Sequence, residues 1–169
     1  VDPATGATRE LLREEDEAWL NLDQSTPRWL ADGARFLWST EREGRWQLEL
    51  RAADGERVRA LTEPDFGYRS LVAVDEARER LWVRASAEPT ETHVFTVPLA
   101  EDGEPRRWSE APGERDTTVA ADGGLWVHER QTEDGTLEHV VRRPDGARLG
   151  TLDSEREAPP FSPNLTFET

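Results

Sequence analysis

The chain has 169 residues, a net charge of −15 and no cysteine, and all 21 of its basic residues are arginines. The absence of cysteine excludes disulfides and thiolate-ligated metals, and an acidic field of this size disfavours nucleic acid as a partner because it repels phosphate. No apolar run approaches the roughly 20 residues of a membrane-spanning helix and no targeting segment is visible, so the sequence leaves open whether a parent protein is exported (periplasmic or extracellular) or cytoplasmic.

One pattern of short apolar runs and turns occurs three times along the chain. The steps from Phe36 to Leu81 and from Leu81 to Leu125 are 45 and 44 residues, the length of a four-stranded propeller blade. Asp-Gly pairs in the units supply the positive φ that tight hairpin turns require, and the alternation in residues 46–50 fits a strand with one buried face. The sequence therefore predicts an all-β fold, a partial β-propeller of about three four-stranded antiparallel blades.

The predicted elements follow one another in a simple order. Residues 1–26 are predicted to form the last strand of a preceding blade and a loop, and residues 1–156 together form the propeller segment. Three blades are expected at residues 27–65, 66–112 and 113–156. The proline-rich residues 157–169 are predicted to be an exit linker, because proline blocks ladder hydrogen bonds and stiffens the chain.

Three blades leave an open face at each end of the stack. A twisted four-stranded sheet covers its faces by stacking radially on neighbouring blades, and three blades cannot close a ring. The absence of methionine, even at position 1, also suggests a piece of a longer chain. We therefore expect the remaining blades of a parent chain to cover the open faces, or the open blade faces to self-associate.

Three of the seven tryptophans recur in the repeats. Trp38, Trp82 and Trp126 are predicted to occupy one blade position, and a repeated register favours the blade core. A stacking platform for a sugar ligand is the alternative interpretation.

Few residue patterns in the chain indicate chemistry. No serine lies in a Gly-x-Ser-x-Gly elbow, so no catalytic residue is predicted. His93, His128 and His139 fall on predicted strands, and a metal held by His128 and His139 alone would have too few ligands for a closed site. No metal and no cofactor is therefore predicted. The acidic run at residues 14–17 is predicted to be a solvated loop, with a cation or amine site as the alternative.

Five short motifs follow one another along the chain, at residues 27–33, 36–44, 59–62, 72–75 and 85–91. In this order and spacing they resemble the propeller domain of the dipeptidyl peptidase IV family, among the prolyl oligopeptidase-type serine peptidases. The resemblance extends over almost the whole chain. Gln47 and Glu49 depart from it, since the family often has histidine and tyrosine there, which concerns the subfamily more than the family.

The resemblance carries expectations for the parts of the active site. It implies that the catalytic serine, aspartate and histidine lie in an α/β-hydrolase domain beyond residues 157–169. It also implies that the glutamates that bind the substrate's amino terminus lie in an earlier part of the propeller. By position, the residues just after Trp19 turn toward the substrate pocket, so Asp23 and Gln24 are the candidate substrate-binding residues. The implied partners are the hydrolase domain and a peptide.

The leading hypothesis is a non-catalytic propeller segment of a serine exopeptidase that removes dipeptides. In such an enzyme the segment would limit access to short or unfolded peptides and contribute to the substrate pocket. A binding or scaffold propeller with no attached hydrolase is the alternative. Another member of the same clan, such as an oligopeptidase or an acylaminoacyl peptidase, is a second enzymatic alternative.

Overall fold

The computed structural model describes residues 1–2, 4–109, 114–131 and 137–153. Within these ranges twelve strands form three antiparallel sheets of four strands each, which confirms the predicted all-β fold with three four-stranded units. Each sheet lies inside one of the three predicted blade ranges. The predicted exit linker at residues 157–169 lies outside the described residues, and no helix in the described ranges is long and apolar enough to cross a membrane.

The strands of each sheet lie side by side in the order in which they occur along the chain. The first sheet consists of β1 (Arg28–Trp29), β2 (Arg35–Thr40), β3 (Gln47–Ala52) and β4 (Arg57–Ala60). The second consists of β5 (Tyr68–Asp75), β6 (Arg80–Ala85), β7 (His93–Pro98) and β8 (Arg106–Arg107). The third consists of β9 (Glu114–Val119), β10 (Trp126–Gln131), β11 (Leu137–Arg142) and β12 (Arg148–Leu152). This order needs only hairpin connections, which suits antiparallel strands.

The second sheet packs between the other two through apolar faces. The cluster that joins the first and second sheets includes Leu37, Leu48, Leu50, Leu81, Val83 and Val97. The cluster that joins the second and third sheets includes Trp82, Val94, Trp108 and Trp126. Alternate residues of a strand point to opposite faces, so the neighbours Leu81 and Trp82 on β6 serve the two different clusters. The sequence of a strand that is buried on both faces is therefore a nearly continuous apolar run.

Matching turns set the register of the first and third sheets. In one turn the Leu30 amide donates to the Arg35 carbonyl oxygen at 3.0 Å, and in the other the Ala120 amide donates to the Leu125 carbonyl oxygen at 2.9 Å. Gly33 and Gly123 both have φ of 64° in these turns, a left-handed conformation in which a side chain is strained. The residue after each turn is Phe36 in the first sheet and Trp126 in the third.

This register separates the three tryptophans that were predicted to share one blade position. Trp82 points toward the third sheet and Trp126 points back toward the second, with their ring centroids 5.2 Å apart. Trp38 lies on the face of β2 opposite to Leu37, is half-buried, and donates from Nε1 to Glu14 Oε1 at 2.8 Å. The prediction of one shared position was wrong. Counted from the matching turns, Trp126 takes the place of Phe36, so Trp38 lies two residues further along its strand. Trp82 faces the opposite neighbour from Trp126, because a one-residue shift in a strand moves a side chain to the other face. Core burial is confirmed for Trp82 and Trp126, which are 0% and 1% exposed.

The segment before β1 differs from its prediction, since no strand occurs in the described residues 1–2 and 4–27. A strand requires a ladder partner, whereas this segment bonds to the first sheet at isolated points. Arg9 Nη2 donates to the Ala53 carbonyl oxygen at 3.0 Å. Leu11 lies so close to Gly55 that a Cβ on that glycine would overlap the Leu11 carbonyl oxygen. The segment therefore runs as irregular chain along the first sheet.

Polar contacts at the strand ends reinforce the stacking of the sheets. The Glu76 carboxylate, in the turn between β5 and β6, accepts from the Ala31 amide at 3.0 and 2.9 Å. Arg59 Nη2 on β4 donates to carbonyl oxygens that follow β7, including that of Ala100 at 2.8 Å. Arg78 Nη1 donates to the Asp122 carbonyl oxygen of the third sheet at 3.2 Å. Bonds of this kind fix the relative position of sheets that apolar packing alone would let slide.

Replacing Trp82 with alanine tests the packing of the second and third sheets. Because the indole is fully buried, Trp82→Ala is expected to lower the free energy of unfolding by about 3–5 kcal/mol. Trp29→Ala is the control, since Trp29 is 43% exposed and its loss is expected to cost less. Urea denaturation followed by circular dichroism measures both variants. A loss below about 1 kcal/mol for Trp82→Ala would contradict the buried position.

Candidate functional site

A cleft of about 210 Å³ opens between the last residues of β2 and the loop that precedes β1. Residues 20–24 form the loop side of the cleft and residues 38–41 form the strand side, with Glu14 and Thr26 completing the lining. Both sequence-predicted substrate-binding residues, Asp23 and Gln24, lie in this lining. We call the stretch of residues 20–26 the cleft loop.

The Asp23 carboxylate attaches the cleft loop to the first sheet. Its Oδ1 accepts from the Ser25 amide at 2.8 Å and from Ser25 Oγ at 2.7 Å, which closes a local turn. Its Oδ2 accepts from Ser39 Oγ on β2 at 2.7 Å. The backbone carbonyl oxygen of Asp23 also accepts from the Thr26 amide at 3.3 Å. Short aspartate turns of this kind are common where a loop must hold one conformation.

These hydrogen bonds decide the protonation state of Asp23. Partial burial raises the pKa of the Asp23 carboxyl, but the donors on Ser25, Ser39 and Tyr68 outweigh it, so that the pKa lies below its ordinary value of 3.8. Donors that bond to the charged form favour that form. Asp23 is therefore a carboxylate at neutral pH and accepts hydrogen bonds through both oxygens.

Sequence reasoning missed Tyr68 as a residue of this network. Tyr68 is the first residue of β5 in the second sheet, is 3% exposed, and lies with its Oη 2.9 Å from Ser39 Oγ. The same Oη lies 3.5 Å from Asp23 Oδ2. Burial raises the pKa of the Tyr68 phenol, so the hydroxyl keeps its proton. The only signal in the sequence was that Tyr68 is the single tyrosine of the chain.

Other carboxylates make the rim of the cleft acidic. Glu14 Oε1 accepts from Trp38 Nε1 and from Arg42 Nη2, each at 2.8 Å. Glu41 Oε2 accepts from Asn21 Nδ2 at 2.8 Å. Arg42 compensates the charge of Glu14, whereas Glu41 and Asp23 have no cation as a hydrogen-bond partner within the described residues. A cationic group is therefore favoured over an anionic one at this rim.

Gln24 is the second predicted residue in the lining of the cleft. The residue is exposed, and no hydrogen bond to its side chain occurs within residues 1–2, 4–109, 114–131 and 137–153. The neighbouring Asp23 has both carboxylate oxygens engaged by the protein. Of the two predicted residues, Gln24 thus keeps an amide donor and acceptor available to a ligand.

The residues of the acidic run at 14–17 differ in exposure and in bonding. Glu14 bonds to Trp38 and is 9% exposed at its side chain, whereas Glu15 is 75% exposed. Asp16 Oδ1 accepts from the Ala18 and Trp19 amides at 2.8 and 2.9 Å and so closes a turn. The predicted solvated loop therefore holds for part of the run, while Glu14 belongs to the cleft.

The histidines do not come together as metal ligands. His128 on β10 lies opposite Val140, so the adjacent His139 on β11 points to the other face of the sheet. His139 Nε2 lies 3.0 Å from Glu129 Oε2, and His93 Nε2 lies 2.6 Å from Glu91 Oε2. No group of three or more histidine and acidic residues with metal-binding geometry occurs in the described part of the chain.

The chain matches the family model described as the dipeptidyl peptidase IV (DPP IV) N-terminal region over residues 1–134. This stretch includes the cleft and the first two sheets. It thus covers well over half of the 169 residues.

Two solved structures are similar to the chain in fold. The crystal structure of Porphyromonas gingivalis dipeptidyl peptidase 4 superposes with a TM-score of 0.66 at 20% identity, covering 75% of this chain and 18% of that one. A protein from Bacteroides ovatus assigned as a dipeptidyl aminopeptidase IV superposes with a TM-score of 0.60 at 14% identity, covering 72% of this chain and 20% of that one. The chain therefore spans about a fifth of the length of these relatives, and the likeness shows the fold.

The ionised state of Asp23 makes a testable contribution to stability. A carboxyl whose pKa is lowered on folding stabilises the folded state above its unfolded pKa and loses this contribution as the pH falls through the folded pKa. The stability difference between the unchanged chain and Asp23→Asn is therefore expected to be largest above about pH 5 and to shrink as the pH falls below 3.8. Urea denaturation of both proteins between pH 6 and pH 3 measures it. A difference that stays constant over this range would contradict the assignment.

Proposed function

The chain belongs to the dipeptidyl peptidase IV N-terminal region family, and from this membership we propose that it gates peptide access and forms part of the substrate pocket in a serine exopeptidase. The chain is a propeller segment of a dipeptidyl peptidase family protein. The catalytic groups of the proposed enzyme lie outside the segment, in an α/β-hydrolase domain of the parent chain. The remaining blades of the parent complete the propeller.

The cleft beside β2 is the observation that carries the pocket role. It combines an acidic rim at Asp23 and Glu41, the exposed residue Gln24, and the exposed side chain of Leu22. A peptide with a free amino terminus offers a cation, backbone amides and carbonyls, and apolar side chains to such a lining. We place Asp23 and Gln24 next to the peptide, with Gln24 contacting it through its amide and Asp23 supplying negative potential.

The stacked sheets support the gating role. The second sheet is held on both faces by buried clusters, and the contacts of Arg59 and Glu76 fix the strand ends. Sheets that are packed this tightly do not deform to admit a folded protein, whereas an extended peptide needs only a narrow passage. The acidic charge of the segment attracts the amino terminus of an approaching peptide.

Hydrolysis by the full-length gene product tests the proposed activity. Chromogenic Xaa-Pro dipeptide substrates with a free amino terminus are expected to be cleaved, and their N-acetylated counterparts are not. A folded protein that carries the same two amino-terminal residues is expected to resist cleavage, which is the test of gating. Absence of Xaa-Pro hydrolysis would contradict the peptidase, and equal cleavage of the folded protein would contradict the gate.

A substitution at Gln24 tests the pocket role separately. Loss of one hydrogen bond to the bound peptide is expected to raise KM by about 2- to 10-fold in Gln24→Ala. Glu101→Ala is the matched control, because Glu101 is an exposed residue of the second sheet's loops, outside the cleft. Steady-state kinetics on the full-length protein measures both. An unchanged KM in Gln24→Ala would contradict contact with the peptide.

A further inference from the structure

Tyr68 is a residue of the second sheet whose hydroxyl contacts the first sheet. Its ring belongs to the buried cluster between the two sheets, which also includes Leu37 and Leu81. Its Oη lies 2.9 Å from Ser39 Oγ, and both groups are buried. Tyr68 does not line the cleft, so any effect it has on a ligand there acts through other residues.

The direction of the hydrogen bonds leads from Tyr68 to the cleft loop. Ser39 Oγ donates its single proton to Asp23 Oδ2 at 2.7 Å. A serine hydroxyl that donates its proton has only acceptor capacity left, so the Tyr68 hydroxyl is the donor in the contact with Ser39. Its one proton is shared between Ser39 Oγ at 2.9 Å and, more weakly, Asp23 Oδ2 at 3.5 Å. The order Tyr68 to Ser39 to Asp23 links three elements: β5, β2 and the cleft loop.

The hydroxyl of Tyr68 is not required for packing. An apolar interface is filled as well by phenylalanine, and the same cluster uses Phe66 and Phe95, whose ring centroids lie 4.9 Å apart. A buried hydroxyl is costly unless it is hydrogen-bonded. The presence of a tyrosine here therefore points to the bond that the hydroxyl makes with Ser39.

We propose that Tyr68 is a positioning residue of the cleft, which acts through Ser39 and Asp23 to hold the cleft loop against the first sheet. The position of the loop thereby depends on the contact between the first and second sheets. The consequence for a bound peptide rests on the proposed function, whereas the anchoring of the loop is a property of the chain itself.

Tyr68→Phe removes the hydroxyl and keeps the ring. In the full-length protein we expect hydrogen–deuterium exchange of residues 20–26 to become faster by about 2- to 10-fold, the effect of one lost hydrogen bond. The amides of Ser25 and Thr26, which bond to Asp23, are the direct reporters. Ser39→Ala interrupts the same chain of bonds one step later and is expected to change exchange in the same direction.

Thr96→Val is the matched control. It also removes a buried hydroxyl from an interface between sheets, where Thr96 Oγ1 accepts from Trp108 Nε1 at 2.9 Å. This interface joins the second sheet to the third, so exchange of residues 20–26 is expected to stay unchanged. Equal exchange in Tyr68→Phe and in the unchanged protein, or an equal acceleration by Thr96→Val, would overturn the proposal.

Kinetics on Xaa-Pro substrates separate positioning from general stability. Tyr68→Phe is expected to raise KM several-fold while kcat stays within about twofold, because a loosened loop weakens binding without touching the reacting atoms. Faster exchange with an unchanged KM would overturn the link between the anchor and the peptide. If the unchanged protein cleaves no such substrate, the proposed function fails, and the exchange experiment still decides whether Tyr68 anchors the loop.

Discussion

The structure depends on apolar packing between the faces of neighbouring four-stranded sheets. Each sheet is too thin to bury its own side chains. The side chains on its faces are removed from water only where another sheet covers them. The second sheet meets this requirement on both sides, with Leu81 and Val83 facing the first sheet and Trp82 facing the third. Three indole rings with mutual centroid distances between 5.2 and 5.9 Å fill the second contact.

Strand β2 connects the packing between the first two sheets to the cleft. Leu37 and Ser39 are two residues apart on β2 and therefore share one face. Leu37 belongs to the buried cluster, and Ser39 holds Asp23 of the cleft loop. Tyr68 contributes its ring to that cluster and its hydroxyl to Ser39. Core and cleft are thus consecutive parts of one interface, and the loop takes its position from the way the sheets meet.

Local patterns predicted the fold and left out the contacts between sheets. The repeat of 45 and 44 residues and the Asp-Gly turns indicated three antiparallel units, because hairpins are encoded by neighbouring residues. The predicted shared position of Trp38, Trp82 and Trp126 was wrong, since a register shift of one residue changes the face of a side chain and a shift of two residues changes its place along the strand. Asp23 and Gln24 were placed by position, and both line the cleft. Tyr68 was missed because its contact with Ser39 spans 29 residues and two sheets.

The most direct test of this dependence compares two cavities on opposite faces of the second sheet. Leu81→Ala weakens the contact with the first sheet, and Val94→Ala weakens the contact with the third. Hydrogen–deuterium exchange is measured at the cleft loop and at β10 in both variants. Leu81→Ala is expected to accelerate exchange mainly in the cleft loop, and Val94→Ala mainly in β10. Equal acceleration at both places, or a cleft loop that does not respond to Leu81→Ala, would contradict the account.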